Sequence, residues 1–378
     1  MAEVLIIDDK PDEVTLTAEL NQVPQVSSKA LHPEDVEQGD LNKADLVLVD
    51  YQLEVADWPQ RDGGPISRQP KDGLALASVL RRHVHGSERD SPTAFAILTS
   101  EIHKLASPLP PDNREHVLAR LNNLEWVFQK STPGKPDRLG EQVIQLANAV
   151  KSLPKKWPKD DAAEASNQLM KVLGLSDSTG REQLVEDVTA CIPPVHELSE
   201  WSHGLAVIRW LLHRILPYPC FLWDSYHLAA RLRVDQRWLQ DAMQANSGLR
   251  RWFAAAEYEG LLSSFAGPRW WRGMVEQLLW TATDQQSFNI DEVHKVLISK
   301  HGASAKVSSP SDHPLVCVNS NFQPLQKFSS IEESVRIRPD DWPAYADQAW
   351  TTVELAKSEP RLRALVVSED RGKLDAND

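Results

Sequence analysis

The chain is read as an α/β protein, with an N-terminal doubly wound parallel sheet of five strands followed by a mainly α-helical C-terminal domain. Three observations predict this. Short apolar runs alternate with segments of helical spacing through the first 150 residues. The apolar runs end in polar or charged residues, among them Asp8, Asp9, Asp50, Thr99 and Lys130. Beyond about residue 160 helical periods dominate, and eleven of the thirteen tryptophans lie after Lys130.

The elements follow in order. Residues 3–9 (EVLIIDD) form an apolar run, Val4 to Ile7, that stops at Asp8 and Asp9. A near-continuous apolar run fits a strand covered on both faces. Val14, Leu16 and Leu20 share a helix face after Pro11, and a weak strand signal surrounds QVSSKAL. ADLVLVDYQL is the next clear strand and ends at Asp50. Residues 53–71 turn polar and rich in Gly and Pro, which reads as a long surface loop. Leu74, Ala77, Leu80 and Val84 then mark a helix, TAFAILTS a strand ending at Thr99 and Ser100, and REHVLARLNNL a helix. EWVFQKS gives a fifth strand ending at Lys130, and RLGEQVIQLANAVKSL closes the set.

PKKWPKDD reads as a linker, so the domains are placed at 1–153 and 160–378. In the second, HGLAVIRWLLHRIL is a helix broken by Pro217 and Pro219, and DDWPAYADQAWTTVELAKS is expected to be helical. RWWRG at 269–273 and IRPDDWPAY at 337–345 are read as core first and interface second.

Composition narrows the function classes. The 378 residues carry 41 basic and 54 acidic side chains, a net charge of −13, which disfavours nonspecific binding to nucleic acid or anionic membrane. Three cysteines, Cys191, Cys220 and Cys317, stand far apart and suggest neither a disulfide framework nor a zinc knuckle. No basic segment followed by an apolar run opens the chain, and no stretch approaches the roughly 18 to 20 apolar residues of a membrane span. A soluble, cytoplasmic protein without membrane partners is expected.

In a doubly wound sheet, ligands gather at the carboxyl ends of the strands. Those ends carry Asp8, Asp9, Asp50, Thr99 and Lys130. Three converging carboxylates repel one another unless a cation lies among them, and an all-oxygen set suits magnesium. A carboxylate beside such an ion can take a phosphoryl group, with a lysine and a hydroxyl binding the phosphoryl oxygens.

IIDDKP, LVLVDYQL, AILTS and VFQKS, in that order, make residues 1 to about 150 resemble the receiver domain of two-component response regulators. The resemblance implies a strand order of 2-1-3-4-5 and magnesium held by Asp8, Asp9, Asp50 and the backbone carbonyl of Gln52. It further implies phosphoryl transfer to Asp50 from a sensor histidine kinase or phosphotransfer protein, with Thr99 and Lys130 sensing the phosphate. Two positions depart from the family. Ser131 replaces its proline after the lysine, and Val127 stands where an aromatic switch residue is expected.

The C-terminal half resembles no family and is expected to bind an unknown protein target, or to have no output, leaving a phosphate sink in a phosphorelay. A receiver-mediated homodimer is a further expectation. No enzymatic output is expected beyond self-phosphorylation and self-dephosphorylation, since His196, His203, His213 and His227 lack metal or nucleophile spacing. His213 and His227 read as helix-surface or core histidines ahead of phosphotransfer histidines. A DNA-binding regulator is the alternative, because residues 228–243 resemble a helix-turn-helix. DNA is the weaker candidate: residues 136–378 carry 27 basic against 32 acidic side chains, and Arg233 occupies the turn position that usually holds Gly. A second alternative is a receiver-like module that binds without phosphorylation.

Overall fold

The computed structural model describes residues 1–53, 70, 72–85, 91–105, 114–130, 138–158, 161–175, 181–198, 204–244, 247–301 and 313–375. Apart from Leu53 and Pro70, the 53–71 insertion lies outside the described residues, as do Ser131 and His203.

Five strands, β1 Ala2–Ile7, β2 Val26–Leu31, β3 Leu46–Asp50, β4 Ala94–Thr99 and β5 Trp126–Gln129, pair in the order β2-β1-β3-β4-β5, all parallel. This is the doubly wound, flavodoxin-like order. Each apolar run is a strand because both of its faces are covered: Ile6, Ile7, Leu46 through Val49 and Ala94 through Ile97 are all wholly buried. Burying each large aliphatic side chain contributes about 1.5–3 kcal/mol, so these strands anchor the fold. The crossovers carry α1 Thr15–Leu20, α2 Gln38–Lys43, α3 Gly73–His85 and α4 Glu115–Leu121, and α5 Leu139–Lys151 follows β5.

The helix α2 has no apolar period to announce it, since only Leu41 is buried. A capping box holds it instead. Glu37 accepts from the third helical backbone N–H, while Asp40 reaches back to the Glu37 N–H at 3.1 Å.

The described chain divides into two compact units. The first contains the sheet within residues 1–173, together with 194–217 and 260–266; the second contains 174–193, 218–259 and 267–378. In the first unit, α6 Ala162–Val172 is followed later in the chain by α8 Leu205–Trp210, which widens into a π-helical turn over Leu211–Ile215. In the second are α7 Arg181–Ala190, α9 Ser225–Leu232, α10 Gln236–Ala242, α11 Gly248–Phe253, α12 Arg272–Ala282 and α13 Ile290–His301. Two short antiparallel pairs, β6 Leu222–Trp223 with β7 Trp270–Trp271 and β8 Ser334–Arg336 with β9 Trp350–Thr352, complete it with α14 Val353–Ser358, α15 Pro360–Leu365 and α16 Gly372–Asp375.

The RWWRG tryptophans are core: Trp271 stacks on Phe221 at 5.4 Å, and both Trp270 and Trp271 are buried. The helix expected over the DDWPAY stretch is shorter than its sequence suggests. Residues Trp350–Thr352 pair with Ser334–Arg336 as a strand, and the helix begins only at Val353, with Thr352 as its cap. Two consecutive threonines favour the pleated backbone, and the Thr352 hydroxyl accepts from Leu355 N–H at 3.1 Å.

Candidate functional site at the carboxyl ends of the strands

Strands β1 and β3 are neighbours in register, Ile7 against Val49, so the residues that follow them emerge side by side. Asp8 and Asp9 leave β1 as Asp50 ends β3, and one carboxylate oxygen from each lies within 4.8 Å of the others. Asp8 and Asp50 are buried, and Asp9 is half-buried. Lys130, directly after β5, reaches in with its ammonium 3.0 Å from Asp50 Oδ1 and 3.8 Å from Asp8 Oδ2. Its backbone N–H is tied to the Thr99 carbonyl at 2.7 Å, which fixes where the side chain starts. These four groups and Gln52 line one cavity of about 720 Å³.

Burial pushes the Asp50 carboxyl up from 3.8 to about 6, the Lys130 ammonium opposes this, and the charges of Asp8 and Asp9 add to it. The donor set is three carboxylates, without nitrogen or sulfur. That chemistry fits a hard divalent cation such as magnesium, with Gln52 on the same cavity wall.

Thr99 ends β4, the strand beside that of Asp50. It is buried one residue past the register partner of Asp50, and its hydroxyl accepts from Glu101 N–H at 3.0 Å. Glu101 is in turn tied to both neighbouring segments. Its carboxylate accepts from the Gln52 side-chain amide and pairs with Lys104 at 2.5 Å.

Gly73 was not singled out as a site residue, yet it determines where Asp50 sits. A Cβ at Gly73 would stand 2.1 Å from the Asp50 carbonyl oxygen, and the Gly73 N–H donates to the Tyr51 carbonyl at 2.9 Å. The start of α3 therefore packs on the backbone of the acid itself, which only glycine permits. The DG pair in the sequence was the available signal.

Val127 is buried in the sheet core, while its neighbours on β5, Trp126 and Phe128, turn to the other face and meet Phe265 at 5.0 and 6.3 Å between ring centroids. Arg138, the N-cap residue of α5, and Gln142 within it donate to the carbonyls of Ser264 and Phe265. At the opposite end of the sheet, Glu125 is wholly buried and accepts from Arg209 of α8, with Arg81 3.7 Å away. His213 is buried with its Nε2–H donating to the Glu125 carbonyl at 2.9 Å, so it is a core histidine and not a surface one. His227 bonds Asp224, the cap of α9, at 2.8 Å and is likewise structural.

Residues 228–243 do form two helices, α9 and α10, and Arg233 takes the left-handed turn between them at φ +52°. The exposed positions of α10 are Arg237, Gln240 and Asp241, which together carry no net charge. Among the described residues no helix is long and apolar enough to cross a membrane.

No family model matches this chain, and no curated protein matches it. Among solved structures it is similar, at 15% identity and a TM-score of 0.24, to RcsB from Salmonella enterica serovar Typhimurium, solved bound to promoter P1flhDC in the presence of the phosphomimetic BeF3−. The match covers 57% of this chain and 97% of that one. At that identity and score, function has to be argued from the acid cluster itself.

Proposed function

We propose that the protein is a two-component response regulator whose Asp50 accepts a phosphoryl group from a phosphohistidine donor. The observation that carries this reading is the meeting of Asp8, Asp9, Asp50 and Lys130 in one cavity at the carboxyl ends of a parallel sheet. Asp8, Asp9 and Asp50, with the Gln52 carbonyl, would hold magnesium, which when bound offsets the carboxylate repulsion and neutralises charge on the phosphoryl oxygens. An Asp50 carboxylate oxygen attacks phosphorus, the P–O bond forms, and the donor's imidazole leaves. Lys130, already 3.0 Å from Asp50, keeps a positive charge beside the new phosphoryl group. The Thr99 hydroxyl accepts from the Glu101 N–H, which leaves its own O–H to donate to a phosphoryl oxygen.

The signal's route follows from what covers β5 and α5. Their outer face packs on Phe265 and Ser264, residues from the C-terminal half of the sequence. Displacing that contact is the reading we adopt for how phosphorylation reaches a protein target, and it competes with receiver pairing through the same face. A phosphate sink would share the chemistry and lack this response.

Intact mass after incubation with acetyl phosphate and magnesium tests the reading. One added phosphoryl group that Asp50→Asn abolishes supports it. No adduct on the folded, magnesium-treated protein removes it and leaves a receiver-like binding module.

A second reading, DNA binding, is favoured by one observation, the left-handed turn at Arg233 between α9 and α10. Salt-dependent retention on DNA that Arg237→Glu abolishes would support it. The uncharged balance of the exposed α10 face speaks for the protein-binding reading.

A further inference from the structure

The second unit contains a cavity of about 190 Å³ among α9, α10, α11 and β7. Its inner wall is apolar. Leu239 of α10 and Trp270 of β7 are buried there, with Met243, the residue that ends α10, packed against the same cluster. That volume exceeds the space of one water several-fold and matches a single large apolar side chain. The polar groups come from three other places: Ser225 begins α9, Arg250 lies in α11, and Glu257 stands opposite Trp270 in a β-bridge. The backbone fixes Glu257, because the next residue, Tyr258, donates its N–H to the Arg269 carbonyl at 2.8 Å. An apolar wall with a few convergent polar groups is the usual make-up of a small-ligand site.

Two features leave this site's hydrogen bonding incomplete. Trp270 lines the cavity, and its indole N–H is buried with no acceptor. Buried donors in native proteins are met by protein, water or ligand, so this one calls for a partner. The Arg250 guanidinium and the Glu257 carboxylate are 3.7 Å apart, too far for a direct hydrogen bond, and their side chains are 49% and 24% exposed. A pair this loose and this wet holds itself together weakly. It opens readily for a ligand that gives each group a closer partner.

Charge then selects the ligand class. A lone carboxylate against Arg250 would stand beside Glu257 and be repelled, and a lone ammonium against Glu257 would meet Arg250 in the same way. A molecule carrying both charges on one carbon satisfies both groups at once. We propose that the second unit binds a free amino acid with a large apolar side chain. Its carboxylate pairs with Arg250, its ammonium with Glu257, and its side chain enters the cavity against Leu239, Met243 and Trp270. The Ser225 hydroxyl, on the same cavity, can donate to the carboxylate or accept from the ammonium. Leucine, methionine and phenylalanine fit this description, whereas glycine leaves the apolar wall unfilled.

The test is isothermal titration calorimetry on the full chain, without phosphodonor or magnesium, so that it does not depend on Asp50 chemistry. The ligands are L-leucine, L-methionine and L-phenylalanine. Three probes accompany them: glycine, which has both charges and no side chain, isocaproate, which is leucine without its ammonium, and isoamylamine, which is leucine without its carboxylate. Saturable binding of at least one of the three amino acids is expected, with every probe at least about tenfold weaker. Arg250→Gln and Glu257→Gln, both at the solvent-facing side of the site, should each weaken the amino acid by a similar factor while the protein stays folded by circular dichroism. No saturable binding of any of the three at tens of millimolar overturns the proposal. A probe that binds as tightly as the best amino acid, or folded variants that bind it unchanged, overturns it as well, because the ion pair would then play no part in recognition.

Discussion

Arg209 and Glu125, 84 positions apart, form an ion pair in which only Glu125 is wholly buried, with the guanidinium Nη2 2.6 Å from Glu125 Oε1 and Nε 2.7 Å from the same oxygen. Glu125 also accepts from the Phe95 backbone N–H and has Arg81 at 3.7 Å. The pair secures α8 to the amino-terminal end of β5, at the opposite edge from the acid cluster.

Removing the guanidinium leaves a wholly buried carboxylate with Arg81, 3.7 Å away, and the Phe95 N–H as partners. Arg209→Ala is expected to destabilise the protein by about 1–3 kcal/mol in chemical denaturation, because the buried Glu125 carboxylate loses its shortest charged partner and keeps its desolvation cost. Arg209→Lys should recover part of this, since a lysine cannot reproduce the second donor to Asn123.

Gly73→Ala places a methyl group 2.1 Å from the Asp50 carbonyl oxygen, so α3 or the β3 terminus must shift. A loss of roughly 1–3 kcal/mol is expected from such overpacking. Under the proposed function the initial rate of Asp50 phosphorylation should fall as well, by more than the loss of folded protein accounts for.

The acid cluster and His213 give opposite pH slopes in metal-free protein. Asp50 has its carboxyl raised by burial from 3.8 to about 6, so its contribution to stability is fully present below 3.8 and lost as pH rises through about 6. His213 is pushed down from 6.5 to about 4, chiefly by burial, so its contribution is present above 6.5 and lost as pH falls toward 4. Each amounts to roughly 3 kcal/mol at its limit. Urea titrations between pH 4 and 6 should therefore show stability rising more steeply with pH in Asp50→Asn and flattening or falling in His213→Gln. An unchanged slope in both variants would contradict the burial assigned to these two groups.

Magnesium should stabilise the folded protein by mass action, through the Asp8, Asp9 and Asp50 carboxylates. The melting temperature is expected to rise in millimolar magnesium and to return to its starting value on chelation. Asp9→Asn should abolish most of the rise. A melting temperature in Asp9→Asn that responds to magnesium as the unaltered protein does would place the ion elsewhere.

Much of this protein is legible in its residues, and some of it is not. The apolar runs Val4–Ile7, Leu46–Val49 and Phe95–Leu98 announce a buried parallel sheet, because a strand covered on both faces has no polar side to hide. The acids that end two of those runs announce the site, because alternating strands and helices put all carboxyl ends on one edge. Local chemistry determines these features, so sequence suffices for them. What only the tertiary structure decided are relationships between residues with no local signature. Arg209 meets Glu125, Phe265 meets Trp126 and Phe128, and Gly73 yields space to the Asp50 carbonyl. Each depends on where long-range packing brings two distant segments, and neither hydrophobic period nor motif spacing encodes that distance.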